Sequence, residues 1–234
     1  MRRNVLAGVL GLASASALAL VLSQPARTAQ GPQFPMYEVT VTNLTAAIGF
    51  TPILLASHDS SVKLFEAGEG ASSELAMLAE DGLTRPLESL LQSMAGTLAT
   101  ATSSGPTGPG ESTTVMVKTD SPFSFISLAS MLVPTNDSFI ALNGIQGPTA
   151  GQTLVLYVPA WDAGSEPNDE LCSSLPSGAS FAECGGPGGG GMPAGGEGFV
   201  HISRGITGVG DLNAAERDWK NPVARITVRR VIGN

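Results

Sequence analysis

Past its first thirty residues, apolar and polar positions alternate along much of this chain, and that pattern predicts a mainly β protein. Tyr37 to Leu44 alternates and is rich in β-branched residues, as a half-buried strand does. Thr51 to His58 is a second extended stretch, with Pro52 near its start, where a strand tolerates a missing donor. Ser112 to Lys118, Phe123 to Val133, Ser138 to Leu142 and Thr153 to Val158 are short β-rich pieces parted by turn residues, at the spacing of a sandwich. Phe199 to Ile202 and Val223 to Val231 read as closing strands, the last with one buried face and its arginines turned to water.

Between the second and third strands the period changes. Ser72 or Ser73 can cap a helix through Leu75, Ala76, Leu78 and Ala79 that Gly82 stops, and Thr84 can cap another that opens on Arg85-Pro86. Leu87, Leu90, Leu91 and Met94 then fall at i, i+3, i+4 and i+7, one buried face, so this helix packs on the sheet. Ala101 to Gly110 reads as a mobile surface loop of Ser, Thr, Gly and Pro. Residues 159–198 lose the strand pattern and become mostly glycine from Gly185 to Gly196, an insertion loop with little core of its own. One domain over residues 35–233 accommodates all of this, and no internal repeat is evident.

The first thirty residues are of another kind. Arg2 and Arg3 precede an uncharged apolar or small run from Val5 to Leu22, and Pro25 breaks it. The run is short and rich in Ala and Ser, so residues 1–26 read as a cleaved signal peptide, with the cut between 23 and 30, rather than as a membrane anchor. Losing Arg2 and Arg3 takes the formal charge from −8 to −10. Such acidity excludes a phosphate-backbone binder, since Arg225, Arg229 and Arg230 are the one basic cluster. In an exported chain, Cys172 and Cys184, the two cysteines, most simply form one disulfide inside the insertion.

Several words of this sequence, in order, resemble the spondin N-terminal domain family. They are Tyr37 to Thr45, Phe50 to His58, Leu-Phe-Glu-Ala-Gly at Leu64 to Gly68, Glu74 to Gly82, Phe125 to Pro134, Asp162 to Glu166, Gly196 to His201 and Trp219 to Arg225. The resemblance implies a C2-like antiparallel β-sandwich with two short helices packed on it, and a divalent cation, calcium or another, held by loops at one end. The positions matching the family's metal ligands are Asp137, Asp162 and Glu166, with Glu166 standing where animal members have Asp. Adhesion and matrix binding belong to animal members, and the thrombospondin repeats and reeler domain of F-spondin are lacking, so animal partners do not carry over.

Taken alone, the residues favour plain solvated turns, and it is the resemblance that turns the reading toward a cation. Asp162 and Glu166 stand four apart around Gly164, just past an apolar strand, and Asp137 follows another; carboxylates that converge from tight turns suit a hard cation. Asp and Asn also favour turns without any ion. Asp169, Glu170 and Glu183 form a second acidic group that keeps the cysteine loop soluble. His58 and His201, on strands, read as structural histidines. Trp161 either shields the cation site or meets a partner, and Trp219 covers the sheet edge. Asn43 and Asn136 fit a glycosylation pattern expected to go unused. His58-Asp59-Ser60-Ser61 has triad residue types, but GxSxG, HExxH, P-loop and dinucleotide motifs are absent, so no enzyme and no catalytic residue is expected. The leading reading is an exported, secreted or periplasmic, cation-dependent binding or adhesion module for a protein or glycan partner. It has no nucleic-acid role and no membrane-spanning segment in the mature chain. The alternatives are calcium-dependent attachment to a membrane surface, which the negative charge opposes, and an envelope hydrolase.

Overall fold

The computed structural model describes residues 33–191 and 195–233; the signal peptide assigned to residues 1–26 lies outside them. In chain order the elements are β1 (Phe34–Asn43), β2 (Gly49–Phe50), β3 (Leu54–His58), α1 (Ser73–Asp81), α2 (Thr84–Ser93), β4 (Thr97–Thr102), β5 (Ser112–Lys118) and β6 (Phe125–Val133). There follow β7 (Ser138–Gln146), β8 (Thr153–Val158), β9 (Ala160–Asp162), β10 (Ser180–Phe181), β11 (Gly186–Pro187), β12 (His201–Ile202), α3 (Ala214–Arg217) and β13 (Ala224–Gly233). The fold is mainly β and its sheets are antiparallel, as the alternation predicts.

One sheet has the order β5-β1-β13-β8, so the first and last strands pair along their whole length, from Phe34 opposite Gly233 to Asn43 opposite Ala224. The larger sheet runs β12-β9-β7-β6-β3-β4, with β2 attached to β6. Tyr37, Val39, Val41, Val115, Ile226 and Val228 of the first share a core with Leu55, Ile126, Leu128, Ile140 and Leu142 of the second. The opposite face of the larger sheet offers Leu54, Ala56, Ala129, Phe139 and Ala141 to Leu75, Leu78, Leu87 and Leu91 of the two helices. Because both faces are covered, all five residues of β3 and the seven interior residues of β6 are buried, and their sequences read as apolar runs instead of alternating ones.

The helices form for the reasons their sequences give. Ser72 Oγ accepts from the Leu75 N–H at the start of α1, and Gly82 closes it in the left-handed conformation, φ 69°. Helix α2 begins at Thr84 itself, with Leu83 at the cap position and no side-chain cap, one residue from the expected boundary. A third short helix, α3, capped by Asn213, was not anticipated.

Three expectations about loops need correction. The segment Ala101 to Gly110 is no mobile loop: β4, whose Thr-Leu-Ala-Thr-Ala-Thr gives only weak hydrophobic contrast, runs through Thr102 and pairs with β3. Thr107 is buried and exchanges both backbone hydrogen bonds with Phe50 at 2.9 Å. Residues 159–198 contain a strand of the main sheet, β9, because Pro159 is the point where the chain leaves the smaller sheet for the larger. Farther on, the Cys172–Cys184 disulfide is formed, and Leu175 and Phe181 within the loop it closes enter the main core, so the insertion is anchored.

Leu128→Ala, which empties a site between the two sheets, should cost about 2–5 kcal/mol in urea unfolding. Val155→Ala, on the open face of β8, should stay within about 0.5 kcal/mol of wild type.

Candidate metal centre

Strand register builds the centre. In the β7–β9 ladder Ser138 faces Asp162, so Asp137, one residue before β7, lies beside the end of β9; on the other side of β9, His201 of β12 faces Asp162 directly. Gly164 then turns the chain at φ 66°, where a Cβ would stand 2.3 Å from the Phe199 carbonyl oxygen, so no other residue fits without a shift. The turn is held by the two aspartates. Gly164 N–H donates to Asp162 Oδ1 at 2.8 Å, while the N–H groups of Ser165 and Glu166 donate to Asp137 Oδ2 at 2.8 and 3.0 Å.

Asp137, Asp162 and Glu166 are all buried. Of Asp137, only Oδ2 is engaged; Oδ1 is buried with no hydrogen-bond partner. Burial, and then the charge of Asp162, push the Asp137 carboxyl up to about 7 despite the amide donors. Burial likewise raises Asp162, against hydrogen bonds from Asn168 and Gly164. Two buried carboxylates, one of them raised by the charge of the other and left with an unbonded oxygen, form an arrangement that a divalent cation would relieve. The group that closes most tightly around Asp162, however, includes neither Asp137 nor Glu166. It is Asp162, Glu197 and His201, whose ligand atoms lie within 4.8 Å of one another. The Glu166 backbone N–H is what reaches Asp137, and its carboxyl Oε1 sits beside Gly191, 2.5 Å from where a Cβ there would be.

Glu197 and His201 escaped the sequence reading. They come from the far end of the glycine-rich insertion, and only the β9–β12 register brings them to Asp162. Their spacing of four was the one local signal, and His201, read as a structural histidine, stands opposite Asp162 and beside Glu197. His58 keeps the structural role, buried and bonded to the Asp59 carbonyl and to Ser127 Oγ at 2.7 and 2.8 Å.

The second acidic group holds structure together, contrary to the solubility expected of it. Buried Glu170 accepts from the N–H groups of Thr207, Gly208 and Val209 and from the Thr207 hydroxyl. Asp169 accepts from Asn136 Nδ2, Leu171 N–H and Ser174 Oγ. Glu183 pairs with Arg217, which lowers its pKa and also donates to the Ala47 carbonyl. Trp161 packs on Phe65 with ring centroids 5.0 Å apart, and Trp219 joins the main core. Asn43 is buried and donates to the carbonyls of Ile48 and Thr107. Asp59 Oδ1 accepts from Ser61 N–H and Oγ in a local turn.

A family model described as Spondin_N, the spondin N-terminal domain, matches residues 27–172, more than half of the chain. No curated protein matches it. The matched span carries Asp137, Asp162 and Glu166, while Glu197 and His201 lie beyond it.

Glu170→Ala would remove the buried acceptor of three backbone N–H groups, those of exposed Thr207, Gly208 and Val209, and should cost about 1–3 kcal/mol in chemical unfolding. The Asp137 carboxyl carries a pH signature. Its folded value, about 7, stands above the ordinary 3.8, so its contribution to stability is complete below about pH 4 and is lost as pH rises through 7. In chelator, melting temperature should therefore fall between pH 5 and pH 8, and Asp137→Asn should flatten that fall.

Proposed function

The chain belongs to the spondin N-terminal domain family, and from that premise we propose that it is an exported, divalent-cation-dependent binding module. Its partner is a protein or a glycan, met by the loops at the cation-bearing end of the sandwich. The family is one of extracellular, non-enzymatic modules. Among the described residues no helix is long and apolar enough to cross a membrane. Export is assigned to residues 1–26 and the binding domain to residues 35–233.

One observation carries the reading: Asp137 Oδ1 is buried, unbonded, and belongs to a carboxylate set against Asp162. Leaving such an oxygen unsatisfied is costly, and a hard cation is the species that satisfies oxygens crowded by like charge. Asp137 and Asp162 would hold it with Glu166, whose backbone is tied to Asp137 and whose carboxylate keeps the charge of the Asp found in animal relatives. Calcium would supply no chemistry beyond charge. It would cross-link the turn before β7 to the turn after β9 and so fix the loop surface that a partner meets. Phe199, half exposed beside the His201 ring at 5.2 Å, gives that surface an apolar contact. Net charge of −8 opposes anionic lipid and nucleic acid alike as the partner.

Calcium that binds only the folded state should stabilise it by RT ln(1 + [L]/Kd), about 2.7 kcal/mol at 100 times Kd. Melting should shift upward with calcium relative to chelator, and Asp162→Asn should lose most of that shift while remaining folded. A wild type without the shift, or an Asp162→Asn protein that shifts as much, would leave these carboxylates as ordinary turn residues. Retention of a partner from envelope or culture extract should follow the same calcium dependence.

A further inference from the structure

We propose that Asp162, Glu197 and His201 form a nitrogen-containing site for a borderline divalent transition metal such as Zn2+, at the same end of the sandwich. This deepens the cation-binding reading and rests on it for Asp162, while its other two ligands lie outside the span the family model matches.

The imidazole shows the arrangement most clearly. His201 Nδ1 lies 3.0 Å from the Ile202 carbonyl oxygen, which can only accept, so Nδ1 carries a proton and Nε2 is the nitrogen left for a metal to take in exchange for any proton it holds. A backbone carbonyl holding the remote nitrogen is how metal-binding histidines are oriented. Nε2 is buried and makes no hydrogen bond. It faces Asp162 Oδ1 at 3.4 Å and Glu197 Oε2 at 3.7 Å, both beyond hydrogen-bond length. Two ligands about 2.1 Å from one tetrahedral ion stand about 3.4 Å apart, so these separations suit atoms that share an ion. The carboxylates are oriented as well. A single side-chain amide, Asn168 Nδ2, donates to Asp162 Oδ2 at 2.9 Å and to Glu197 Oε1 at 3.0 Å, which turns the other oxygen of each toward the imidazole.

A second observation is independent of the histidine. Asp137, fully buried and electrostatically joined to Asp162, keeps one oxygen without any partner, although it stands outside the three ligands themselves. Calcium selects oxygen alone, whereas imidazole with carboxylates suits zinc and its neighbours, so the donor set distinguishes this site from one built for calcium.

The chain has two histidines, and His58 is buried and hydrogen-bonded elsewhere, which makes it an internal control. Metal-free protein should be titrated with Zn2+ and, separately, with Ca2+ while the ring nitrogens are followed by 15N NMR and binding by calorimetry. One equivalent of Zn2+ should move His201 Nε2 and leave His58 in place. His201→Ala and Glu197→Gln should each weaken Zn2+ at least about tenfold and change Ca2+ by less than about threefold. An unmoved His201 nitrogen under saturating Zn2+, or unaltered Zn2+ affinity in His201→Ala with folding verified by circular dichroism, would overturn the proposal. Zn2+ binding through His201 without any calcium shift would sink the calcium reading alone. Calcium binding without Zn2+ at His201 would sink only this one, and binding of neither ion would remove both.

Discussion

The pairing of β7 with β9 is the contact on which the far end of this molecule depends. Ser138 opposite Asp162, Phe139 opposite Trp161 and Ile140 opposite Ala160 set one register, and the side-chain period of two makes it unforgiving. A slip of one residue would carry Phe139 out of the helix-facing core and move Asp162 away from Asp137. Burial of Phe139 and Ile140 on opposite faces of a sheet covered on both sides thus locks the position of a carboxylate that itself contributes nothing to the core.

What each buried acid does follows from whether its oxygens are satisfied. Among the described residues, the buried acids are Asp137, Asp162, Glu166 and Glu170, all at this end. Glu170 accepts four hydrogen bonds and is a clamp on the loop through Thr207 to Val209. Asp137 lends one oxygen to the turn of Ser165 and Glu166 and leaves the other bare, and Asp162 stands between it and His201. Equal burial therefore serves two ends. A complete hydrogen-bond shell ties backbone together, and an incomplete one, facing a second charge, is an arrangement that a cation would relieve.

Much of the architecture was legible because burial on one face writes itself into alternation. β1, β5, β8 and β13 each have one inward face, and their patterns gave both their existence and their limits closely. β4 was lost because threonine and alanine provide almost no contrast, and β9 because three residues after Pro159 are too short to show a period. The insertion looked coreless from its glycines, yet Leu175 and Phe181 enter the core as isolated apolar residues that leave no pattern.

The sequence alone determined the class of fold, the helix that packs by Leu87 and Leu91 and the cysteine pair, and it singled out the acids at 137, 162 and 166 as candidates, because those are consequences of local spacing or of words held in order. Only the tertiary structure decided which atoms meet. His201 and Glu197 join Asp162 across 39 and 35 positions of chain through the ladder of β9 with β12 and the shared amide of Asn168. Glu166 comes to Asp137 by its backbone N–H, with its carboxylate beside Gly191. The reason is physical: a strand's pattern specifies which face is buried, whereas its partner and register are set by the packing of whole sheets, and ligand geometry depends on the register.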